Sequence, residues 1–116
     1  AILDSGGPCR VFIDNTTLVS KERLITINGT GTVIIENSNL TGGSCALWVS
    51  DSVTVVISNS NISSDSTAVH AAGNASVSIR NCNLTGALAA RAAGRAKIVI
   101  ANTTVKGGTE GDIEIQ

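Results

Sequence analysis

Short apolar segments, each ending in Asn, recur along the chain at a nearly constant interval. The five segments lie at residues 11–15, 33–37, 55–59, 77–81 and 98–102, and successive Asn residues are 22, 22, 22 and 21 positions apart. A constant interval of this length is typical of repeat proteins, in which each repeat is one small structural unit. The pattern therefore predicts a repeat architecture that extends over most of the chain.

The pattern within each repeat indicates strands. An aliphatic residue follows each Asn by three positions (Leu18, Leu40, Ile62, Leu84 and Val105), and a second alternating segment follows at residues 24–27, 46–49, 68–71 and 89–92. Alternation and Val/Ile enrichment favour strands over helices. A unit this small buries its apolar face only by stacking on its neighbours, about 4.8 Å apart. We therefore predict one all-β solenoid domain over residues 1–116. Its rungs would be residues 11–32, 33–54, 55–76, 77–97 and 98–116, with residues 1–10 as the tail of a preceding rung.

The recurring Asn predicts a corner of the coil. Asn adopts left-handed backbone angles more readily than most residues, so it can hold a tight turn. Stacked from rung to rung, its amide could also bond to its neighbours and satisfy a polar group inside the coil. This predicted corner ladder consists of Asn15, Asn37, Asn59, Asn81 and Asn102.

One motif within the repeat resembles a known family. The pattern Ile-x-Asn-x-Asn-Leu, at residues 35–40 and 79–84, is similar to the repeat of the right-handed parallel β-helices of the pectate-lyase-like superfamily, and the resemblance covers residues 11–105. It implies a right-handed parallel β-helix of about five 22-residue rungs. Because lyases, hydrolases, phage tailspikes, adhesins and surface antigens share this fold, it implies much less about function. The Ala/Val/Ser/Gly-rich texture and Asn-Cys-Asn-Leu-Thr at 81–85 also resemble large β-helical surface glycoproteins, such as the dispersed-gene-family surface proteins of protozoan parasites.

Charge and composition narrow the classes of partner. The net charge is −1, and the eight Lys and Arg residues are scattered along the chain, whereas a nucleic-acid-binding domain usually shows a basic patch. No apolar run approaches the roughly 20 residues that a membrane-spanning helix needs. We therefore expect neither nucleic-acid binding nor membrane insertion.

The outward positions of the first segment predict an apolar stripe. If the flanking residues point inward, the middle residue of each segment points outward, and four of these five residues are apolar: Phe12, Ile34, Val56 and Val99, with Ser78 as the fourth member of the column. An exposed apolar stripe on a small rod is expected to be covered, either by a loop of a longer chain or by another copy. The alternative is that these residues occur here only because they have a high propensity for strands.

The outward positions of the second segment form a different strip. They are Thr26, Trp48, His70 and Arg91, stacked in that order. Trp48, His70 and Arg91 are a candidate binding strip for a sugar or a partner protein. The alternative is a surface column whose side chains pack along the rod.

Asn-x-Ser/Thr sequons are dense, with seven in 116 residues. In a eukaryotic secretory pathway some would be expected to carry covalent N-glycans. Asn28 and Asn74 lie in predicted turns and are the better candidates. Asn39, Asn61 and Asn83 share one column, where glycans about 4.8 Å apart would crowd each other. Asn15 and Asn102 belong to the corner ladder and are expected to be inaccessible.

Cysteines and acids give little sign of chemistry. Cys9, Cys45 and Cys82 are odd in number, and Cys45 and Cys82 occupy different repeat positions, which disfavours a bridge between them. We predict buried free thiols at Cys45 and Cys82, whereas Cys9 could pair outside this chain. Asp14 and Glu36 alone among the acids stack on neighbouring rungs, and no acid–base set converges on them. We therefore predict no catalytic residues, no metal site and no cofactor.

The terminal segments lack the pattern of an amphipathic capping helix, and solenoid ends left open can template another strand. We therefore expect end-to-end self-association or neighbouring β-helical segments in a longer chain. The predicted function is a non-catalytic structural rod, a segment or subunit of an extracellular fibre or large cell-surface glycoprotein, assembling through open ends and the apolar stripe. The alternatives are an adhesin-like binding module for a glycan or receptor and a partial carbohydrate-active β-helix enzyme.

Overall fold

The chain winds as a coil of short strands that stack in parallel. The computed structural model describes residues 3–6 and 8–116, with side chains from residue 8 onward, and its longest dimension is 32 Å. Residues 1, 2 and 7 of the predicted tail lie outside the described residues. Strand β1 (Leu3–Gly6) pairs with β4 (Arg23–Asn28), so this part of the tail belongs to a preceding coil and stacks on the first full coil.

Each full coil contributes strands to three faces. The first face is a six-stranded sheet of β2 (Cys9–Asp14), β5 (Thr30–Glu36), β8 (Ser52–Ser58), β11 (Ser76–Arg80), β13 (Lys97–Ala101) and β15 (Ile113–Ile115). The second face holds β3 (Thr17–Val19), β6 (Asn39–Gly42) and β9 (Asn61–Ser64). The third holds β1, β4, β7 (Cys45–Val49) and β10 (Thr67–Ala71). Strands β12 (Asn83–Ala92) and β14 (Thr104–Glu110) run through both of the latter faces and join them into a nine-stranded sheet.

Equivalent residues of successive coils pair in register. On the first face Val33 pairs with Val55, and Val55 pairs with Val77, which confirms the predicted solenoid of about five turns. The register is less constant beyond the second face. Paired residues of the third and fourth coils are 22 positions apart on the second face (Asn61 with Asn83) but 21 apart on the third (Thr67 with Leu88). The corner between these two faces is therefore one residue shorter in the fourth coil.

The core is a set of aliphatic columns inside the coil. The first face buries one column of Val and Ile and another of Ile, the second face buries Leu40, Ile62 and Leu84, and the third face buries columns that end in Ala90 and Ala92. Each column stacks equivalent apolar side chains of successive coils, so each repeat buries its apolar residues against those of its neighbours. This is the apolar burial that the sequence pattern predicted.

The recurring Asn residues turn the chain between the first and second faces. Asn15, Asn37, Asn59, Asn81 and Asn102 all have a positive φ, between 48° and 53°, the left-handed conformation that the corner hypothesis requires. The backbone N–H of Asn59 donates to the carbonyl of Arg80 on the next coil, 3.1 Å away. The prediction that their amides lie inside the coil is wrong, because all five residues are solvent-exposed, Asn15 and Asn102 included. In the left-handed conformation these side chains leave the coil at the corner.

The residue after each corner Asn satisfies the polar backbone inside the corner instead. These residues are Thr16, Ser38, Ser60, Cys82 and Thr103. The Ser38 hydroxyl donates to the carbonyl of Glu36 at 2.7 Å and accepts the backbone N–H of Thr16 at 3.2 Å. Ser60 repeats the arrangement one coil further on, where its hydroxyl accepts the backbone N–H of Ser38 at 3.2 Å. These hydroxyls therefore donate within their own coil and accept a backbone N–H from the preceding coil, which links the coils at this corner.

Candidate functional site

The outer surface of the first face carries an apolar column that is open to solvent. Register pairing places Phe12, Ile34, Val56, Ser78 and Val99 in one line along the coil axis, followed by Glu114. Phe12 is 62% exposed and Val56 is 40% exposed, whereas Ile34 and Val99 are half-buried by their neighbours. The apolar residues of the predicted stripe therefore lie in one column, which is interrupted by Ser78.

The interruption creates a depression in this surface. Ser78 lies between Val56 and Val99, and its short side chain leaves an open hollow of about 230 Å³ bounded by those two valines and by Lys97. Because the sheet spaces equivalent residues about 4.8 Å apart, a serine between two valines leaves room for one aliphatic side chain from outside. The surface is therefore uneven, with protruding apolar groups towards one end and a hollow towards the other.

Two polar columns flank the apolar column. One contains Asp14, Glu36, Ser58, Arg80 and Ala101, and the other contains Arg10, Thr32, Thr54, Ser76 and Lys97. The Asp14 carboxylate accepts a hydrogen bond from the Asn37 amide at 3.1 Å, and Lys97 Nζ lies 3.8 Å from the Glu114 carboxylate. The charges of Glu36 and Arg80 lie in the same column, two coils apart and on opposite sides of Ser58.

The candidate binding strip on the third face is a packed stack. The Trp48 and His70 rings lie 3.7 Å apart between centroids with an interplanar angle of 30°, and the Arg23 guanidinium lies 4.0 Å from the Trp48 ring centroid. These two neighbours cover the Trp48 ring, which leaves little of its surface for a sugar to stack on. The prediction of an outward surface strip is wrong for Thr26 and His70, which are 8% and 6% exposed. The geometry favours the alternative of side chains packed along the rod.

The same stack shifts the titration of its imidazole. Burial lowers the pKa of His70 below its ordinary value, and the positive charges of Arg91 and Arg23 lower it further. Arg91 in turn lies 3.8 Å from the Glu110 carboxylate, measured from its Nε atom. His70 is therefore held in its neutral form, which packs against Trp48 without adding a third positive charge to the stack.

We predict that the protein loses stability on mild acidification because of His70. A histidine in the unfolded chain titrates near 6.5, so as the pH falls the unfolded state takes up the proton first. The stability contributed by neutral His70 is fully present above that pH and is lost as the pH falls towards the lower pKa of the folded state. The urea concentration at the unfolding midpoint should therefore be lower at pH 5.5 than at pH 7.5. His70→Gln should remove most of this dependence, and an equal pH dependence in that variant would contradict the assignment.

Two of the three cysteines are buried thiols, as predicted, and all three are free. Burial raises the pKa of Cys45 to about 11, and its thiol donates to the carbonyl of Leu47 at 3.1 Å. Burial also raises the pKa of Cys82, whose thiol donates to the carbonyl of Arg80 at 2.9 Å. Cys82 follows the corner residue Asn81 as Ser60 follows Asn59, and its thiol replaces the serine hydroxyl as a donor. Because both thiols stay protonated at neutral pH, they are poor nucleophiles.

The sequon asparagines differ in their contacts. Asn61 Nδ2 donates to Asn39 Oδ1 at 2.7 Å, and Asn83 Nδ2 donates to Asn61 Oδ1 at 2.6 Å, so these three exposed side chains form an amide ladder on the second face. Asn74 is exposed in a turn, as predicted. The prediction that Asn28 lies in a turn is wrong, because it is the last residue of strand β4. Its side chain is half-buried and accepts a hydrogen bond from the Ser50 hydroxyl. A glycan on Asn61 or Asn83 would replace a hydrogen of an amide that bonds within the ladder.

The remaining predictions concern metals, membranes and acids. Over residues 3–6 and 8–116, no group of three or more His, Cys, Asp or Glu residues could hold a metal ion. No helix long and apolar enough to cross a bilayer occurs in the described part of the chain. Asp14 and Glu36 are register neighbours, as predicted from the repeat.

Three features of these surfaces were not predicted from the sequence. The small hydroxyl or thiol after every corner Asn was visible as a column, and its chemistry could have been recognised. The amide ladder of Asn39, Asn61 and Asn83 was visible as a column of sequons, but its hydrogen bonds were not anticipated. No pattern in the sequence indicated the contact of Arg23 with Trp48, because it depends on how a long side chain crosses from one coil to the next.

Comparison with known proteins identifies the fold family. Residues 3–116 match the family described as the right handed beta helix region. No curated protein matches the chain. No solved structure matches it either. The family match covers nearly the whole chain and agrees with the parallel coils, the in-register columns and the absence of helices among the described residues. The chain therefore belongs to the right-handed β-helix family.

Proposed function

We propose that this chain is a non-catalytic structural rod, a segment or subunit of an extracellular fibre or large cell-surface glycoprotein. The observation that carries the proposal is the apolar column of Phe12, Ile34, Val56 and Val99 on the outer surface of the first face. Isolated apolar side chains on a surface need no explanation, but four of them in one line on a sheet face, interrupted by Ser78, are typical of a contact surface.

The construction of the rod also supports a structural role. Each coil is held to the next by parallel strand pairing on all three faces, by aliphatic columns inside and by the hydroxyl ladder at the corner. Strand edges remain at both ends of a β-helical segment, and a further coil from the same polypeptide or another copy can pair with them. We propose that the rod extends in this way along its axis and makes lateral contacts through the first face.

The sequons support the extracellular location. The exposed side chain of Asn74 lies in a turn. Its Nδ2 group does not donate a hydrogen bond to a neighbouring coil, whereas the Nδ2 groups of Asn61 and Asn83 do. We propose Asn74 as the first site of covalent glycosylation in a eukaryotic secretory pathway, with the Asn39, Asn61 and Asn83 column modified less completely. The intact mass of secreted protein tests this part of the proposal directly.

The lateral contact is tested by Val56→Lys. Val56 lies in the middle coil of the apolar column, so a lysine there places a charge at the centre of the contact, where desolvating an unpaired ammonium opposes association. We expect self-association, measured by sedimentation velocity, to weaken at least tenfold while the far-ultraviolet circular dichroism and thermal midpoint stay close to those of the parent chain. Negative-stain images should show fewer laterally associated rods.

The matched control is Ser66→Lys, which adds the same charge at an exposed turn away from the first face. It should leave association unchanged. Equal association of the Val56→Lys variant and the parent would exclude this surface as the contact. Specific glycan binding that disappears in Trp48→Ala would instead favour the adhesin-like module, and hydrolysis or elimination of a polysaccharide would favour a carbohydrate-active enzyme.

A further inference from the structure

We infer that the lateral contact is an antiparallel pair of identical chains, related by a two-fold axis that passes through Val56. This inference rests on the proposed lateral contact and adds its geometry and its partner, a second copy of this chain. It follows from the order of charges, protruding side chains and the hollow along the first face.

The polar column that contains Glu36 and Arg80 is complementary to itself when the second copy runs in the opposite direction along the coil axis. Glu36 and Arg80 lie one coil before and one coil after Ser58, which shares the middle coil with Val56. Because the coils are evenly spaced, by about 4.8 Å, reversing one copy about Val56 places each Glu36 opposite Arg80 of the second copy. The pair therefore gains two equivalent ion pairs. The ion pairs within the described residues are Arg91–Glu110 and Lys97–Glu114, so both groups remain available for these contacts.

The apolar column is self-complementary in the same orientation. Ile34 lies one coil before Val56, and the hollow over Ser78 lies one coil after it. Reversal places the Ile34 side chain of each copy over the hollow of the other, Val56 against Val56, and Phe12 against Val99. The Ile34 side chain would occupy part of each open hollow of about 230 Å³ and so improve the packing of the contact.

A parallel arrangement of the two copies fits less well. It would place Ser78 opposite Ser78, so that the two hollows face each other and remain unfilled. Glu36 would face Thr32 and Arg80 would face Ser76, which leaves both charges without a partner of opposite sign. It would bring Arg10 opposite Asp14, whose carboxylate also accepts the Asn37 amide. The antiparallel orientation also places Arg10 opposite Lys97, but Lys97 lies 3.8 Å from the Glu114 carboxylate of its own chain. The occupied hollows and the pairing of Glu36 with Arg80 therefore favour the antiparallel orientation.

The size of the face sets the expected affinity. Five coils about 4.8 Å apart and about five residues along each strand give roughly 400 Å² per copy. Stable complexes usually bury about 800 Å² per partner. We therefore expect a weak, concentration-dependent pair for the 116-residue chain. Its mass is that of two chains, whereas end-to-end stacking produces a series of larger masses in native mass spectrometry.

A mixture of two charge-reversal variants tests the orientation. In Glu36→Arg alone, each contact joins two positive groups, and in Arg80→Glu alone it joins two negative groups. We expect the dissociation constant of the pair to rise at least tenfold in each variant, measured by sedimentation equilibrium. In an equimolar mixture every contact joins opposite charges, so the mixed pair should form with a dissociation constant within about threefold of the parent value.

The control for net charge is a mixture of Asp65→Arg and Arg95→Glu. Both residues lie at exposed turns, and the two variants carry the same changes in net charge as the test variants. Neither control variant should change the dissociation constant, alone or mixed. A gain in association in the control mixture equal to that in the test mixture would overturn the proposal, because general attraction between oppositely charged chains would explain both.

A second pair of variants tests the packing without changing charge. Ile34→Ser removes the group that fills the hollow, and Ser78→Ile fills the hollow from its own chain; each should weaken the pair, and their mixture should restore it. If Val56→Lys abolishes association but neither mixture recovers it, the antiparallel pair is wrong while the lateral contact stands. If the parent chain does not associate through this face at all, both proposals fail.

Discussion

Ile79→Ala is expected to lower the free energy of unfolding by about 3 kcal/mol, within the range of about 2–5 kcal/mol for truncating a buried aliphatic side chain to Ala. Ile79 is fully buried in the isoleucine column of the first face, between Ile57 and Ile100. The β-carbon that Ala retains cannot fill this space, and the surrounding backbone is fixed by pairing with the coils on both sides. The cavity therefore cannot collapse easily, and the cost includes both lost burial and lost contacts.

The control for this substitution is the same change at Ile115, which is 60% exposed in β15. Ile115→Ala should lower the unfolding free energy by less than about 1 kcal/mol, since little burial is lost. Equilibrium unfolding in guanidinium chloride measures both variants. Equal losses at the two positions would mean that the isoleucine column contributes no more to stability than the surface does.

Gly43→Ala should lower the free energy of unfolding by a similar amount, about 3 kcal/mol, because the added methyl group overpacks the site. A β-carbon on Gly43 would lie 1.9 Å from the backbone carbonyl oxygen of Lys21 on the preceding coil. That carbonyl belongs to the main chain, so relief requires the two coils to move apart. The move would strain the hydrogen bond from the Gly43 N–H to the carbonyl of Glu22, now 2.9 Å long.

Gly108→Ala provides the matched control for this second prediction. A β-carbon there would meet the end of the Leu88 side chain at 3.3 Å, and a small rotation of that side chain relieves the contact. We expect a change in thermal midpoint of no more than about 2 °C, compared with a fall of about 10 °C or more for Gly43→Ala. A Gly43→Ala variant as stable as the parent would show that the coils can separate locally at little cost.

Much of the fold could be predicted because one repeat constrains the next. The interval between Asn residues predicted the number of coils, and alternation predicted which aliphatic residues are buried. The direction of the Asn side chain could not be predicted in the same way. Polarity suggested an inward amide, but a residue in the left-handed conformation at a corner directs its side chain outward, and the next residue, Ser38 or Ser60, faces the interior.

The surface columns illustrate a second limit. Alternation correctly placed Val56 and Trp48 on outer surfaces, since it depends on the backbone alone. The burial of His70 depends on neighbouring coils, because Trp48 stacks on it and Arg91 lies on the coil beyond. Such contacts depend on side-chain rotamers, and a strand pattern contains no information about them. The charge order along the first face was present in the sequence, but its two-fold complementarity emerged only once the columns and the hollow were placed in register.

The shortened corner between the second and third faces indicates where insertions and deletions can occur in the sequence of this chain. Pairing offsets fall from 22 to 21 residues across that corner in the fourth coil, and the register of β12 with β14 shifts again there in the fifth. Insertions and deletions can thus be absorbed at one edge while the Asn corner keeps its geometry. During evolution, gains and losses of single residues should accumulate at this edge, and it is also the natural place to graft a foreign peptide.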